Sequence, residues 1–297
     1  MTSPATTYKY LPPRLADRLR GVTVSVRQAV EGARQGFHRS IHLGASVEFA
    51  EYREYTPGDP PNSIDWDVYA RSDRYLVRRF KEETNVRALI LLDVSESLQF
   101  REEGACTKMD FASQLAAGLM FVLVNQGDSA ALMTFVDAIG KTFPSTGSLE
   151  GLRDPLHYLE EIRPAGRSDI EAALHAAAGL LRSRSLVVVL SDLLQAPEKI
   201  LRGVAHLRHD GHEVLLIQVL DPAELHLPYT GLVEFKELET GHRLVIEADE
   251  IRSAYAGEVE RHVETLRAGC VDCLARYHVV DTKTPVDDLL FTRLVTL

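Results

Sequence analysis

The chain has 297 residues, 45% of them hydrophobic and 26% charged, which suits one large globular domain or one domain and a half. A formal net charge of −10 argues against nucleic acid as the main partner, and three cysteines, an odd number in a long chain, do not make a disulfide framework. No apolar run approaches the ~20 residues that span a bilayer and no signal-peptide core opens the sequence, so the expected location is the cytoplasm, a reducing compartment.

The charge is unevenly spread. Residues 1–42 hold seven Lys or Arg against two acids, which leaves −15 on the remainder. Such a basic arm suits an acidic partner, the protein's own body or a membrane surface. Within it Leu15, Leu19, Val22, Val26, Val30 and Ala33 recur at helical spacing and predict an amphipathic helix ending near Gly36. Arg20, Arg27 and Arg34 flank its apolar face. Membrane contact is expected only through this helix or through partners.

Residues 44–85 read as short polar and aromatic strands around the turn Thr56-Pro57-Gly58-Asp59-Pro60. Trp66, the only tryptophan, is expected to bury a large area. Asp65 or Asp59, paired with Arg71 or Arg53, would complete a cluster that joins this region to the body. The expected division is therefore 1–85, packed on the main domain, and 86–297. Glu48-Phe49, Arg53-x-Tyr55, Pro57-Gly58-Asp59, Ile64-Asp65-Trp66 and Ala70-Arg71, then Phe80 and Glu82 or Glu83, resemble the hallmark of the bacterial family called domain of unknown function fifty-eight. The resemblance continues in Ser191-Asp192-Leu193, Leu220-Asp221-Pro222-Ala223-Glu224 and Leu227-Pro228. It implies that this region accompanies a von Willebrand factor A-like domain.

Ala88 to Leu92 form a continuous apolar run, the pattern of a strand covered on both faces, and the run leads into Asp93, Ser95 and Ser97. The carboxyl ends of strands are where open α/β sheets bind ligands. One carboxylate and two hydroxyls in a tight loop suit a hard cation that prefers oxygen. Further on, strand and helix alternate: helix 108–126, strand 129–136, helices 149–162 and 169–183, strand 186–191, helix 197–209 and strand 213–220. A hairpin over 233–246, turning at Glu239-Thr240-Gly241, a long helix over 249–276 and a last strand and short helix over 277–297 complete the chain. The alternation predicts a Rossmann-like α/β fold, a mainly parallel sheet with helices on both faces.

Asp93-x-Ser95-x-Ser97 resembles the metal-ion-dependent adhesion site of von Willebrand factor A domains. The resemblance implies two further ligands on two other loops. One is Ser168, in Gly166-Arg167-Ser168-Asp169, where the family usually has threonine; the other is Asp192, at the end of strand 186–191. It implies Mg2+ as the cofactor, with Mn2+ or Ca2+ as alternatives. Glu96 and Asp169, in the same loops, are candidate binding residues beside it.

Other signatures fail. Gly140-Lys141-Thr142 imitates the end of a phosphate loop, but Phe135 stands where its first glycine is required. Cys270-x-x-Cys273 has no second pair and reads as small buried apolar residues, and His206, His209 and His212 suit the negative end of a helix. The expected function is a non-catalytic, metal-dependent protein–protein interaction. The alternative is a metal-dependent hydrolase, with the cation activating water and Glu96 or Asp169 as general base. Genes of the family commonly lie beside those of MoxR-type AAA+ ATPases, which implies such an ATPase and a client protein as partners.

Overall fold

In the computed structural model, which describes residues 8–23, 47–56, 64–72, 74–82, 86–238 and 241–292, the chain divides into two compact units. One lies within 29–85, and the other joins the described residues of 1–28 to those of 86–297. The elements in chain order are α1 (Pro13–Leu19), β1 (Val47–Glu54), α2 (Trp66–Ser72), β2 (Leu76–Glu82), β3 (Arg87–Asp93), α3 (Lys108–Asn125), β4 (Ser129–Phe135), β5 (Ile139–Thr146) and α4 (Arg153–Glu161). They continue with α5 (Ile170–Leu180), β6 (Leu186–Ser191), α6 (Pro197–His209), β7 (Glu213–Leu220), α7 (Pro222–His226), β8 (Leu232–Lys236), β9 (Arg243–Glu247), α8 (Ala248–Asp272), β10 (Arg276–Asp281) and α9 (Val286–Thr292).

In the smaller unit β1 and β2 pair antiparallel, with α2 between them in the chain. Asp65 is buried and accepts from the Tyr52 hydroxyl at 2.9 Å and from the Val68 N–H at 3.3 Å. Trp66 is 56% exposed, edge-on to Tyr69, which stacks on Tyr75. The expectation that its indole is core is corrected: a short helix beside a two-stranded sheet has too little interior to enclose so large a ring. Pro57 to Pro60, the expected turn, lie outside the described residues.

The larger unit is built on a six-stranded sheet in the order β5-β4-β3-β6-β7-β10. All neighbours are parallel except β5, which runs antiparallel to β4. This is the mainly parallel α/β architecture expected. Helices cover both faces, and the strands alternate between two cores. Ala88, Ile90 and Leu92 of β3 join α1, α3, α4 and α9 in one. Leu89 and Leu91 join α5, α6 and α8 in the other. Burial on both sides is why β3 and β6 are apolar from Ala88 to Leu92 and from Leu186 to Leu190, and why β7 is apolar from Val214 to Ile217.

β5 is not among the strands that the sequence predicts, where Gly140-Lys141-Thr142 reads only as a false phosphate loop. It is the antiparallel edge strand, largely exposed, with Pro144 within it. An edge is where a sheet tolerates a proline that cannot donate to the ladder. α1 also departs from expectation, because it ends at Leu19, with Gly21 just beyond. Leu15, Leu19 and Val22 are buried in the core shared with α3 and α9. Lys9 pairs with Asp110 at 2.7 Å and Arg18 with Asp287, so the described part of the basic arm meets the protein's own acids. The rest of the expected helix, Val26, Arg27, Val30, Ala33, Arg34 and Gly36, lies outside the described residues, as does most of the hairpin turn at Glu239 and Thr240. Among the described residues no helix is long and apolar enough to cross a membrane.

Helices α5 and α6 approach closely at Gly203, where an added Cβ would lie 2.7 Å from both Cβ and Cδ1 of Leu174. Gly203→Ala should therefore cost about 1–3 kcal/mol in urea denaturation, the usual penalty of overpacking. Gly257→Ala, in α8 with nothing within 4 Å of its added methyl, should be neutral or mildly stabilising.

Candidate functional site

β3 lies between β4 and β6, so Asp93 ends the strand at the point where the strand order reverses. At such a switch point the loops on either side lead to opposite faces and leave a crevice. Backbone bonds stitch three loops together there. Val94 N–H donates to Phe135 O at 3.0 Å, Glu96 N–H to Gly166 O at 3.0 Å, Ala165 N–H to Val94 O at 3.0 Å and Asp169 N–H to Val136 O at 2.8 Å. Ser95 opens the 3-10 turn Glu96–Gln99.

Asp93 is fully buried. Its Oδ1 accepts the Ser95 N–H at 2.9 Å, and its Oδ2 accepts the hydroxyls of Ser168 at 3.0 Å and Ser191 at 2.7 Å. Ser95 Oγ and Ser97 Oγ are 3.1 Å apart. Burial, then the nearby charge of Asp192, push the Asp93 carboxyl up to about 6 against the pull of the Ser191 and Ser95 donors. The structure thus gathers Ser95, Ser97 and Ser168 around Asp93 and adds Ser191, which in the sequence is only the last residue of a strand.

Asp192 is buried beside this group but turned to a different partner. Its Oδ2 accepts from Lys108 Nζ at 2.9 Å, and the same ammonium donates to Glu224 Oε1 at 2.7 Å. Lys108 has no exposed surface. Burial pulls its pKa down, but the charges of Asp192 and Glu224 outweigh that, hold it above the usual value and keep the ammonium form. The chain turns sharply after Asp192. Leu193 has φ +52°, the left-handed region that a bulky residue enters only when its surroundings enforce it. Here the Leu193 N–H donates to Ser191 Oγ at 3.1 Å, and His262 Nε2 lies 2.9 Å from Leu193 O.

Asp221 braces the loop after the 3-10 turn. Its carboxylate accepts the backbone N–H groups of Glu102, Glu103 and Gly104 at 2.9–3.1 Å and caps α7 through Ala223 N–H at 2.9 Å. Glu224 closes a capping box on the Asp221 N–H at 2.8 Å. The other two sequence candidates are placed differently. Asp169 caps α5, accepting from Ala172 N–H at 3.1 Å, and Glu96 sits half-buried in the 3-10 turn. Above the site lies a cleft of about 290 Å³, lined by Ser97, Lys108, Ser168, Asp192, Arg167 and Lys236 among others.

Among the described residues no group of three or more His, Cys, Asp or Glu is arranged to hold a metal ion. The set at Asp93 is of another kind, two carboxylates and serine hydroxyls, all oxygen, which fits a hard cation and no soft one. Its charge agrees: Asp93, Asp192 and Glu224 against Lys108 leave a formal −2. Elsewhere, His206 faces His175 with their Nδ1 atoms 2.6 Å apart, and burial lowers His212. Cys270 is a free, buried thiol pushed up to about 12 by burial, in keeping with a packing role.

The family model described as Protein of unknown function DUF58 matches residues 51–265. Uncharacterized proteins of Mycobacterium bovis and Mycobacterium tuberculosis are each 31% identical to it over 234 residues, 77% of this chain and 72% of theirs. Among solved structures, the conserved hypothetical protein BatB of Bacteroides thetaiotaomicron is similar with a TM-score of 0.46 and 17% identity, over 69% of this chain and 95% of its own. The SpRpn10 VWA domain is similar with a TM-score of 0.42 and 13% identity, over 72% and 97%. The span of the family match and the identity with the mycobacterial proteins establish that this chain belongs to the DUF58 family.

Proposed function

We propose that this DUF58 protein is a non-catalytic protein–protein interaction module whose docking point is the carboxyl edge of the sheet, centred on a divalent cation, Mg2+ before Mn2+ or Ca2+. The observation that carries the reading is the convergence of serine hydroxyls on buried Asp93, next to a second carboxylate, at the switch point of the sheet. Asp93, Ser95, Ser97, Ser168 and Asp192 would hold the cation, which when bound would offer a coordination position to a carboxylate of the partner. The chain's own residues do the rest. Asp93 and Asp192 supply charge, and the hydroxyls supply neutral oxygen donors. A cleft of about 290 Å³ is at the lower end for small-molecule sites and suits one inserted side chain.

For the partner we propose a MoxR-type AAA+ ATPase, with this protein as its cytoplasmic adaptor toward a client. A hydrolase on the same residues would need a base at the site. Asp169 is committed to its helix cap and Lys108 is held between two carboxylates, which leaves Glu96 of the 3-10 turn as the base a hydrolase would have to use; the interaction reading needs no base and is preferred.

The test is thermal unfolding of wild type and Asp93→Ala in millimolar Mg2+ and in EDTA. A cation at ~100 times its dissociation constant stabilises the fold by about 2.7 kcal/mol, which at roughly 2–4 °C per kcal/mol moves the wild-type midpoint by several degrees. The variant should show no shift. Wild-type midpoints that coincide in Mg2+ and EDTA would sink the cation. Equal capture of the ATPase by wild type, by Asp93→Ala and in EDTA would put the interface elsewhere.

A further inference from the structure

We propose that the Lys108 ammonium is a resident counter-cation that engages Asp192 in place of the divalent ion, so that occupancy of the site is a competition between this lysine and the metal. The inference rests on the cation reading of the Asp93 loops. Lys108 springs from the first turn of α3, a helix buried along almost its whole length. Its side chain is wholly enclosed and its ammonium donates to Asp192 Oδ2 and Glu224 Oε1. Glu224 is fixed from the other side, since its Oε2 accepts the Asp221 N–H in the capping box. Asp192 is the less constrained member: its Oδ1 receives only a long bond, 3.4 Å, from Leu194 N–H.

A cation held at Asp93 must therefore draw on a second carboxylate that already carries an ammonium on one oxygen. The arrangement has a physical purpose. Two buried carboxylates side by side repel, and without a positive charge one of them would have to take up a proton. Lys108 supplies that charge permanently, so the loops can stay assembled while the divalent ion comes and goes. The cost is affinity, because the ammonium repels an incoming cation at short range and occupies an oxygen that the cation would use.

The test is calorimetric titration of the full chain with Mg2+ and with Mn2+, comparing wild type with the double variant Lys108→Met/Glu224→Gln. The pair of changes removes one positive and one negative charge, so the formal −2 of the cluster is kept while Asp192 is released. The dissociation constant should fall by about tenfold or more. Binding by the double variant alone, with none by wild type, would support the lysine's role as counter-cation and sink the cation as a ligand of the wild-type protein. Wild-type affinity unchanged or weakened in a folded double variant overturns the lysine's role and leaves the cation reading intact. No binding by either protein overturns both. Should the double variant fail to fold in EDTA, Glu224→Gln is compared with Glu237→Gln, which removes one charge of the same cleft wall and leaves the lysine's two ion pairs in place: cation affinity should drop by about tenfold more in the first, and equal drops would refute the competition.

Discussion

Replacing Asp221 by alanine should lower the unfolding free energy by about 3–5 kcal/mol, because hydrogen bonds to a buried charged group are each worth about 1.5–3 kcal/mol and several are lost together. Four backbone N–H groups converge on this one carboxylate, three of them from the loop Glu102 to Gly104. Alanine would leave the buried donors of Gly104 and Ala223 without an acceptor. Asp221→Asn, which keeps one acceptor oxygen, should fall between. The pH dependence follows from the same bonds. Burial pushes the Asp221 pKa up, but the donors of Glu102, Ala223, Gly104 and Glu103 outweigh it and hold the carboxyl below its usual value. A depressed folded-state pKa contributes stability that is complete above the unfolded value, near 4, and is lost as the pH falls through the folded value. The gap between wild type and Asp221→Ala should therefore be full at neutral pH and should narrow below about pH 4. Urea denaturation at pH 7 and pH 3 measures both points, and a gap that stays constant would show that the carboxylate's charge is not what holds the loop.

The second large effect is expected at Lys108. Lys108→Met in EDTA should cost about 3–5 kcal/mol, since removing one member of a buried ion cluster leaves uncompensated charge in the interior. Methionine matches the length of the lysine stem, so little of the loss comes from packing. What remains is Asp192 facing Glu224 without the ammonium between them. A variant as stable as wild type in urea would mean that these two carboxylates find other partners.

Much of this architecture is legible in the sequence because burial on both faces writes itself as unbroken apolar runs. β3 and β6 are such runs, and so is Val214 to Ile217 of β7. β5 escapes because an edge strand needs apolar residues on at most one side and can carry a proline, so its composition is that of a loop. At the site, Asp93, Ser95 and Ser97 are readable as one local motif. Lys108 is not. A lysine in the first turn of a helix looks like a solvated charge, and only the fold brings it within 2.9 Å of Asp192. Asp221-Pro222-Ala223-Glu224 does carry a local signal, an acceptor followed three residues on by glutamate, the pattern of a capping box. That signal identifies the cap but not the second oxygen of Glu224 that meets Lys108. Trp66 misled for the opposite reason: its type argues for burial, while its small unit cannot supply an interior.

The strand order has a consequence for how the protein is made. β3 sits at the middle of its sheet yet is the first strand of that sheet to leave the ribosome. Its side toward β6 stays open until much later, since Ser191 reaches Asp93 across 98 residues and Asp221 reaches Glu102 across 119. Loop closure over such separations spends chain entropy before any contact returns it, which slows folding relative to a locally wired domain. The Asp93 loops thus assemble late, after the segments around Asp192, Asp221 and Glu224 have all been synthesised. A nascent or truncated chain cannot display the finished edge, so a partner of the kind proposed would distinguish mature protein from unfinished protein without a separate checkpoint.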